Sequence, residues 1–150
     1  MSILQELLSE CIRSPEELRN QLRLTNREVS ELKEIADQYP ICIPPYYLNL
    51  IGPDWKNDPI RKLCIPDPME SSTDGYKDTS GESDNTVVIG MQHKYRQTAL
   101  ILTTNQCSMY CRHCFRKRMV GSNADEIAHH IDEMMDYVAA HSEIDNILLS

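Results

Sequence analysis

Ala99-Leu100-Ile101-Leu102-Thr103, followed at once by Thr104-Asn105-Gln106-Cys107-Ser108-Met109-Tyr110-Cys111-Arg112-His113-Cys114, is the stretch on which the reading of this chain turns. Its first five residues form a continuous apolar run of strand length, suited to a parallel strand covered on both faces. The loop that follows holds three of the six cysteines, spaced C-x3-C-x2-C. Barrel folds place their chemistry on the loops at the C-terminal ends of strands, so these cysteines stand where a site is expected. Three thiolates this close in sequence can converge on one face of a cubane iron–sulfur cluster. Four irons need four ligands, so one iron is left open to something other than protein. Zinc held by the thiolates with His113 is the competing reading. Structural zinc sites pair two separated knuckles, however, and no second one follows. An unligated set of core cysteines is a third reading. A disulfide framework fits poorly with cysteines so unevenly spread.

Downstream, Arg116-Lys117-Arg118 form the one dense basic cluster of an acidic chain. Asn123 with Glu126 predicts a helix start, with Ile127, Ile131, Met134 and Val138 along one face. Asp145-Asn146-Ile147-Leu148-Leu149-Ser150 then reads as a second strand, parallel to the first. Upstream, Thr86 to Tyr95 is an ordered lead into the first strand. Asp67 to Asn85 is rich in Asp, Glu, Ser, Thr, Gly and Pro, and reads as a mobile acidic surface loop. Ile41 to Lys62 is proline-rich, which limits helix length. Before it, Ser14-Pro15-Glu16-Glu17 and Thr25-Asn26-Arg27-Glu28 are capping boxes that open short helices. Ile3, Leu4, Leu7, Leu8 and Cys11 share a helical stripe, as do Val29, Leu32, Ile35, Ala36 and Tyr39. Cys11, Cys42 and Cys64 have no close cysteine or histidine partner in sequence and are read as non-ligands, and Tyr46 and Tyr47 as packing residues.

C-x3-C-x2-C resembles the signature of the radical S-adenosylmethionine (SAM) enzymes. The longer string Asn105-Gln106-Cys107-Ser108-Met109-Tyr110-Cys111-Arg112-His113-Cys114, with Phe115-Arg116-Lys117-Arg118 behind it, is similar to the lysine 2,3-aminomutase family. Pro44-Pro45-Tyr46-Tyr47-Leu48 and Asn57-Asp58-Pro59-Ile60-Arg61-Lys62 resemble that family's lead-in. The resemblance implies an α/β fold: a helical N-terminal preface, then the first β-α-β unit of a radical SAM (β/α)6 partial TIM barrel, truncated. The expected divisions are 1–66 for the preface and lead-in, 67–86 for an acidic flexible linker, and 87–150 for the incomplete start of the radical SAM domain. The family is more than twice as long, so the chain is expected to be the N-terminal part of an enzyme and inactive by itself.

By the same resemblance, Cys107, Cys111 and Cys114 hold a [4Fe–4S] cluster, and SAM chelates the open iron. The reduced cluster cleaves SAM to a 5′-deoxyadenosyl radical, which initiates 1,2-amino migration on a small amino-acid substrate. His113 takes the position that packs near the SAM adenine, and Arg116 the position that binds the substrate carboxylate. A reductant such as flavodoxin or ferredoxin is implied, and a homo-oligomer is an open expectation. The family holds pyridoxal phosphate with H-R-Y-P-D-R, where this chain reads His93-Lys94-Tyr95-Arg96-Gln97-Thr98. Lys94 and Tyr95 would be its contacts, but Lys94 lacks the bidentate fork of arginine and Thr98 replaces an arginine outright. Radical chemistry of this lineage without pyridoxal phosphate, and a non-catalytic metal-binding fragment, are the alternatives.

A net charge of −8 over 150 residues argues against nucleic-acid and anionic-membrane partners, since both need positive surface. No apolar run reaches the length of a membrane span. Met1 to Glu6 lacks a signal-peptide core. With six cysteines, this points to a reducing cytoplasm.

Overall fold

The computed structural model describes residues 3–72, 74–122 and 125–150. The fold is α/β, with one four-stranded mixed sheet. The chain divides into two compact units, residues 1–75 with 107–121, and residues 76–106 with 122–150.

The first unit is helical: α1 (Ile3–Ser9), α2 (Pro15–Leu22), α3 (Asn26–Gln38), α4 (Pro45–Asn49) and α5 (Pro59–Cys64). Of the two predicted capping boxes, the one at Thr25 forms in full, and at Ser14 the cap forms while the Glu17 carboxylate takes the Arg13 amide in place of the Ser14 one. Ser14 Oγ accepts from the Glu17 amide at 3.3 Å, and the Glu17 carboxylate accepts from the Arg13 amide at 3.1 Å. Thr25 and Glu28 make the reciprocal pair at 3.2 and 2.9 Å. Each bond satisfies an amide that has no partner within its helix. Between the two helices the chain reverses at Arg23, whose φ of 53° is left-handed. This aligns Leu18 and Leu22 of α2 with Val29 and Leu32 of α3 in one buried cluster. Leu18 is wholly buried, which stabilises by roughly 1.5–3 kcal/mol. Leu7 of the predicted α1 stripe is 54% exposed instead, and only Leu8 and Cys11 of its described side chains turn inward.

Past Pro40, Ile43 pairs with Ile12 through two backbone bonds of 2.9 and 3.0 Å, closing the helical unit on itself. Asp58 caps α5 by accepting from the Ile60 and Arg61 amides and from the Gly52 amide. The Gly52 bond foremost, with those from Arg61 and Ile60, holds its carboxyl below the usual aspartate range. The acidic segment after it, expected to be flexible, begins and ends in short helical turns. Asp67 opens a 3₁₀ turn at Pro68–Ser71 with a capping box to Glu70. Asp78 accepts from the Glu82 and Ser83 amides ahead of α6 (Glu82–Asn85) in the second unit. The polarity that denies this segment a core supplies its caps.

The second unit carries β1 (Thr86–Val88), β2 (Met91–Tyr95), β3 (Thr98–Ile101), α7 (Ile131–Ala140) and β4 (Asn146–Leu149). The sheet order is β1-β2-β3-β4, antiparallel across the first two pairs. As read from the two apolar runs, β3 and β4 are parallel, with Ala99 opposite Ile147 and Ile101 opposite Leu149. Met91, Ala99, Ile101 and Met134 form the core, joined by Val138. The helix expected from Asn123 starts later. Asn123 lies outside the described residues, and α7 begins at Ile131 with no side-chain cap. Ile127 stays outside the helix because the adjacent Ala128 amide donates to the Leu102 carbonyl at 2.7 Å, a tertiary bond in place of a helical one. Gly90, at φ 82°, allows this approach, since a Cβ there would stand 2.5 Å from Ala128 N.

Candidate functional site

The cysteine segment from Cys107 to Gly121 belongs to the first unit, among the α2–α5 helices. Backbone bonds fix its course. The Tyr110 amide donates to the Cys42 carbonyl at 3.0 Å, and the Arg112 amide donates to the Leu63 carbonyl at 2.8 Å. The chain then winds through successive turns, Cys114 amide to Cys111 carbonyl and Lys117 amide to Cys114 carbonyl, both 3.1 Å. Tyr110 is buried against Cys11 and Cys42, with Leu8 and Val120 around them. The Tyr110 ring lies so close to Gly121 that no side chain fits there.

All six cysteines are free thiols. Cys11, Cys42 and Cys64 are buried, whereas Cys107 is exposed and Cys111 and Cys114 are half-buried. Burial is the first cause pushing the Cys42 thiol up to about 11, with neighbouring Cys11 adding to it. Burial likewise pushes Cys64 up to about 11. A thiol so raised stays protonated at neutral pH and is a poor ligand. Cys111 is also raised, by burial and then by the charges of Cys114 and Cys107. Among the described residues, no three Cys, His, Asp or Glu side chains are gathered as a metal-binding group. The loop carries one exposed thiol and two half-exposed thiols.

His113 is exposed beside Cys114, and the Arg116 guanidinium lies 4.8 Å over the Phe115 ring. Arg112 has no counterpart in the sequence reading as a site residue. It is the most buried cation of the loop, its side chain 5% exposed. Its Nε and Nη2 donate to the two carboxylate oxygens of Glu70 at 3.2 and 2.7 Å, and its Nη1 donates to the Pro40 carbonyl at 3.0 Å. Lys117 Nζ reaches the same Glu70 carboxylate and sits 4.2 Å over the Tyr39 ring. Of the basic residues near the cysteines, Arg112 and Lys117 are thus already paired. The sequence signal that could have found Glu70 is the box Asp67-Pro68-Met69-Glu70, a turn signature inside an otherwise featureless segment.

Lys94 and Tyr95 lie at the end of β2 in the second unit. Lys94 Nζ donates to the Ser80 carbonyl at 2.9 Å, and Tyr95 is 68% exposed. Thr98, in the β3 ladder, accepts from the Asn146 side chain at 3.3 Å.

No family model matches the chain. Curated relatives do. L-lysine 2,3-aminomutase of Clostridium subterminale is 36% identical over 142 residues, covering 93% of this chain and 34% of that protein. The enzyme of the same name from Acetoanaerobium sticklandii is 35% identical over the same shares. The chain is homologous to the lysine 2,3-aminomutases. A glutamate 2,3-aminomutase of Clostridioides difficile is also similar, 34% identical over 95% of this chain and 34% of its own length. The chain thus spans about a third of the length of the aminomutases it matches. Among its described residues, no helix is long and apolar enough to cross a membrane.

Proposed function

We propose that this chain carries the cluster- and SAM-binding start of a radical enzyme of the lysine 2,3-aminomutase type, with Cys107, Cys111 and Cys114 as ligands of a [4Fe–4S] cluster. The observation that carries the reading is the division of the thiols by burial: Cys11, Cys42 and Cys64 are buried, whereas Cys107, Cys111 and Cys114 are exposed or half-buried on one loop in C-x3-C-x2-C spacing. When bound, the reduced cluster with SAM supplies a 5′-deoxyadenosyl radical, which opens 1,2-amino migration on a small amino acid. The chain's own residues bind and orient. Backbone bonds from Tyr110 and Arg112 hold the loop to the helical unit. His113, exposed next to Cys114, is the residue for the SAM adenine. Arg116 offers a planar fork suited to the carboxylate of an amino-acid substrate. The parallel β3–β4 pair with α7 between them in sequence supports a first β-α-β unit of a (β/α)6 partial barrel.

A second reading, the same radical chemistry without pyridoxal phosphate, is favoured by the hairpin. With Lys94 engaged by Ser80, Tyr95 exposed and Thr98 in the ladder, Arg96 is left to supply what the family's arginines do. No step is assigned to that cofactor.

Anaerobic reconstitution of the chain with iron and sulfide tests the first reading. The expected result is about four irons per chain, lost in Cys107→Ala, Cys111→Ala and Cys114→Ala and kept in Cys64→Ala. Stoichiometric zinc with no stable cluster would refute it. Mixing with pyridoxal phosphate tests the second: an unchanged cofactor absorbance is expected, and a stoichiometric shift would return Lys94 and Tyr95 to the site.

A further inference from the structure

Glu70 is remote in sequence from the cysteines, yet its carboxylate is where the loop is anchored. It accepts from Arg112 Nε and Nη2, from Lys117 Nζ, and from the Asp67 amide at 2.8 Å. Arg112 stands between Cys111 and Cys114, and Lys117 lies one turn beyond Cys114. One carboxylate therefore holds the chain on both sides of the last cysteine. The grip is dry, the Glu70 side chain being 13% exposed and that of Arg112 5%. Its far side is fixed too, through Arg112 Nη1 on the Tyr39 and Pro40 carbonyls and through the Asp67 turn that presents the carboxylate. We propose that Glu70 is the positioning residue that sets the Cys111–Cys114 turn for cluster binding, an inference that rests on the cluster reading above. A carboxylate is required because all three side-chain donors are cationic and converge on acceptor oxygens. Glutamine keeps the shape, but turns an amide N–H₂ toward them.

The test uses the full chain as wild type, Glu70→Gln and Leu32→Ala, the last removing a buried side chain of the same unit that makes no bond to the loop. Two readouts are taken on each. One is the rate of iodoacetamide alkylation of Cys111 and Cys114 in the metal-free chain, followed by mass spectrometry. The other is the iron retained after reconstitution, with the electron paramagnetic resonance spectrum of the dithionite-reduced protein. In Glu70→Gln, alkylation should rise about tenfold through local opening of the turn, and less in Leu32→Ala. Iron in Glu70→Gln should fall to roughly half or less of wild type, with an altered spectrum. Equal alkylation, or wild-type iron with an unchanged spectrum, overturns the proposal while leaving the cluster reading intact. An equal rise in Leu32→Ala overturns it as well, by reducing Glu70 to general stability. If wild type itself takes up no iron, the cluster reading falls and Glu70's role toward a cluster falls with it; alkylation then reports only its hold on the turn. Should Glu70→Gln be insoluble, Lys117→Met, which removes one of the two cations, carries the same readouts.

Discussion

The cysteine loop of the first unit and the β2–β3 hairpin of the second are alike in composition, each a short run of His, Tyr, Lys and Arg. Their side chains go to opposite places. In the loop, Tyr110 and Arg112 turn inward, and Arg112 finds a carboxylate and two backbone carbonyls. In the hairpin, only His93 packs, between Tyr137 Oη at 3.0 Å and the Arg96 carbonyl at 3.1 Å, while Lys94, Tyr95 and Arg96 face solvent. The difference lies in what surrounds the run. A cation can be buried where a full set of acceptors is already fixed, and the acidic turn at Asp67–Glu70 provides one. Among the described residues the hairpin's Lys94 meets only the Ser80 carbonyl, and its charge stays at the surface. Basic clusters in a sequence thus divide into those that build the protein and those left on its surface.

The sharpest way to break this contrast is to truncate the buried cation. Arg112→Ala leaves Glu70 with only Lys117 to balance it, and should cost about 3–5 kcal/mol in urea unfolding. A loss below roughly 1 kcal/mol would place Arg112 with the solvated hairpin residues. Next in size is a comparison of two glycines that both have positive φ, Gly121 at 72° and Gly75 at 108°. Gly121→Ala meets the Tyr110 ring and should lose about 1–3 kcal/mol more than Gly75→Ala, where nothing lies within 4 Å of the new Cβ. Equal losses would mean that backbone strain alone matters at both positions.

A third test uses pH. Burial pushes the Glu70 carboxyl up, but the bonds from Arg112 and Lys117 outweigh it and leave the group below the ordinary glutamate value. An acid lowered in the folded state contributes stability that is fully present above its unfolded value and is lost as pH falls through its folded one. The Tm of wild type should therefore fall more steeply with acidification than that of Glu70→Gln. Parallel curves would show that the pair stores no charge-dependent stability. The smallest effect belongs to the hairpin: Lys94→Ala should stay within about 0.5 kcal/mol of wild type.

What could be read from the sequence follows the range of the interactions. The boxes at Ser14 and Thr25 span three residues and were legible, as were the apolar runs that pair as β3 and β4. The β1–β2 hairpin was not read as a strand pair, because β1 is three residues long and its register shifts between Thr86 and Val88. The late start of α7 depends on the Ala128 to Leu102 bond, invisible to helical periodicity. Spacing singles out the motif cysteines, but the contact of Glu70 with Arg112 joins residues 42 apart. The box at Asp67 marks Glu70 as a turn residue, but nothing local says that it will meet a cation so far along the chain.

The acidic segment has a further consequence for how such chains can vary. Its two ends are pinned, at Glu70 by the loop cations and at Asp78 by the amides of Glu82 and Ser83. Gly75 between them has open space around it. Residues inserted there would touch neither anchor. The segment can therefore drift in length and composition across related chains while the carboxylate at one end stays in register with the cysteines. An alignment that scores this region by similarity would discard the glutamate with its surroundings; one anchored on the Asp-Pro-x-Glu box would keep it.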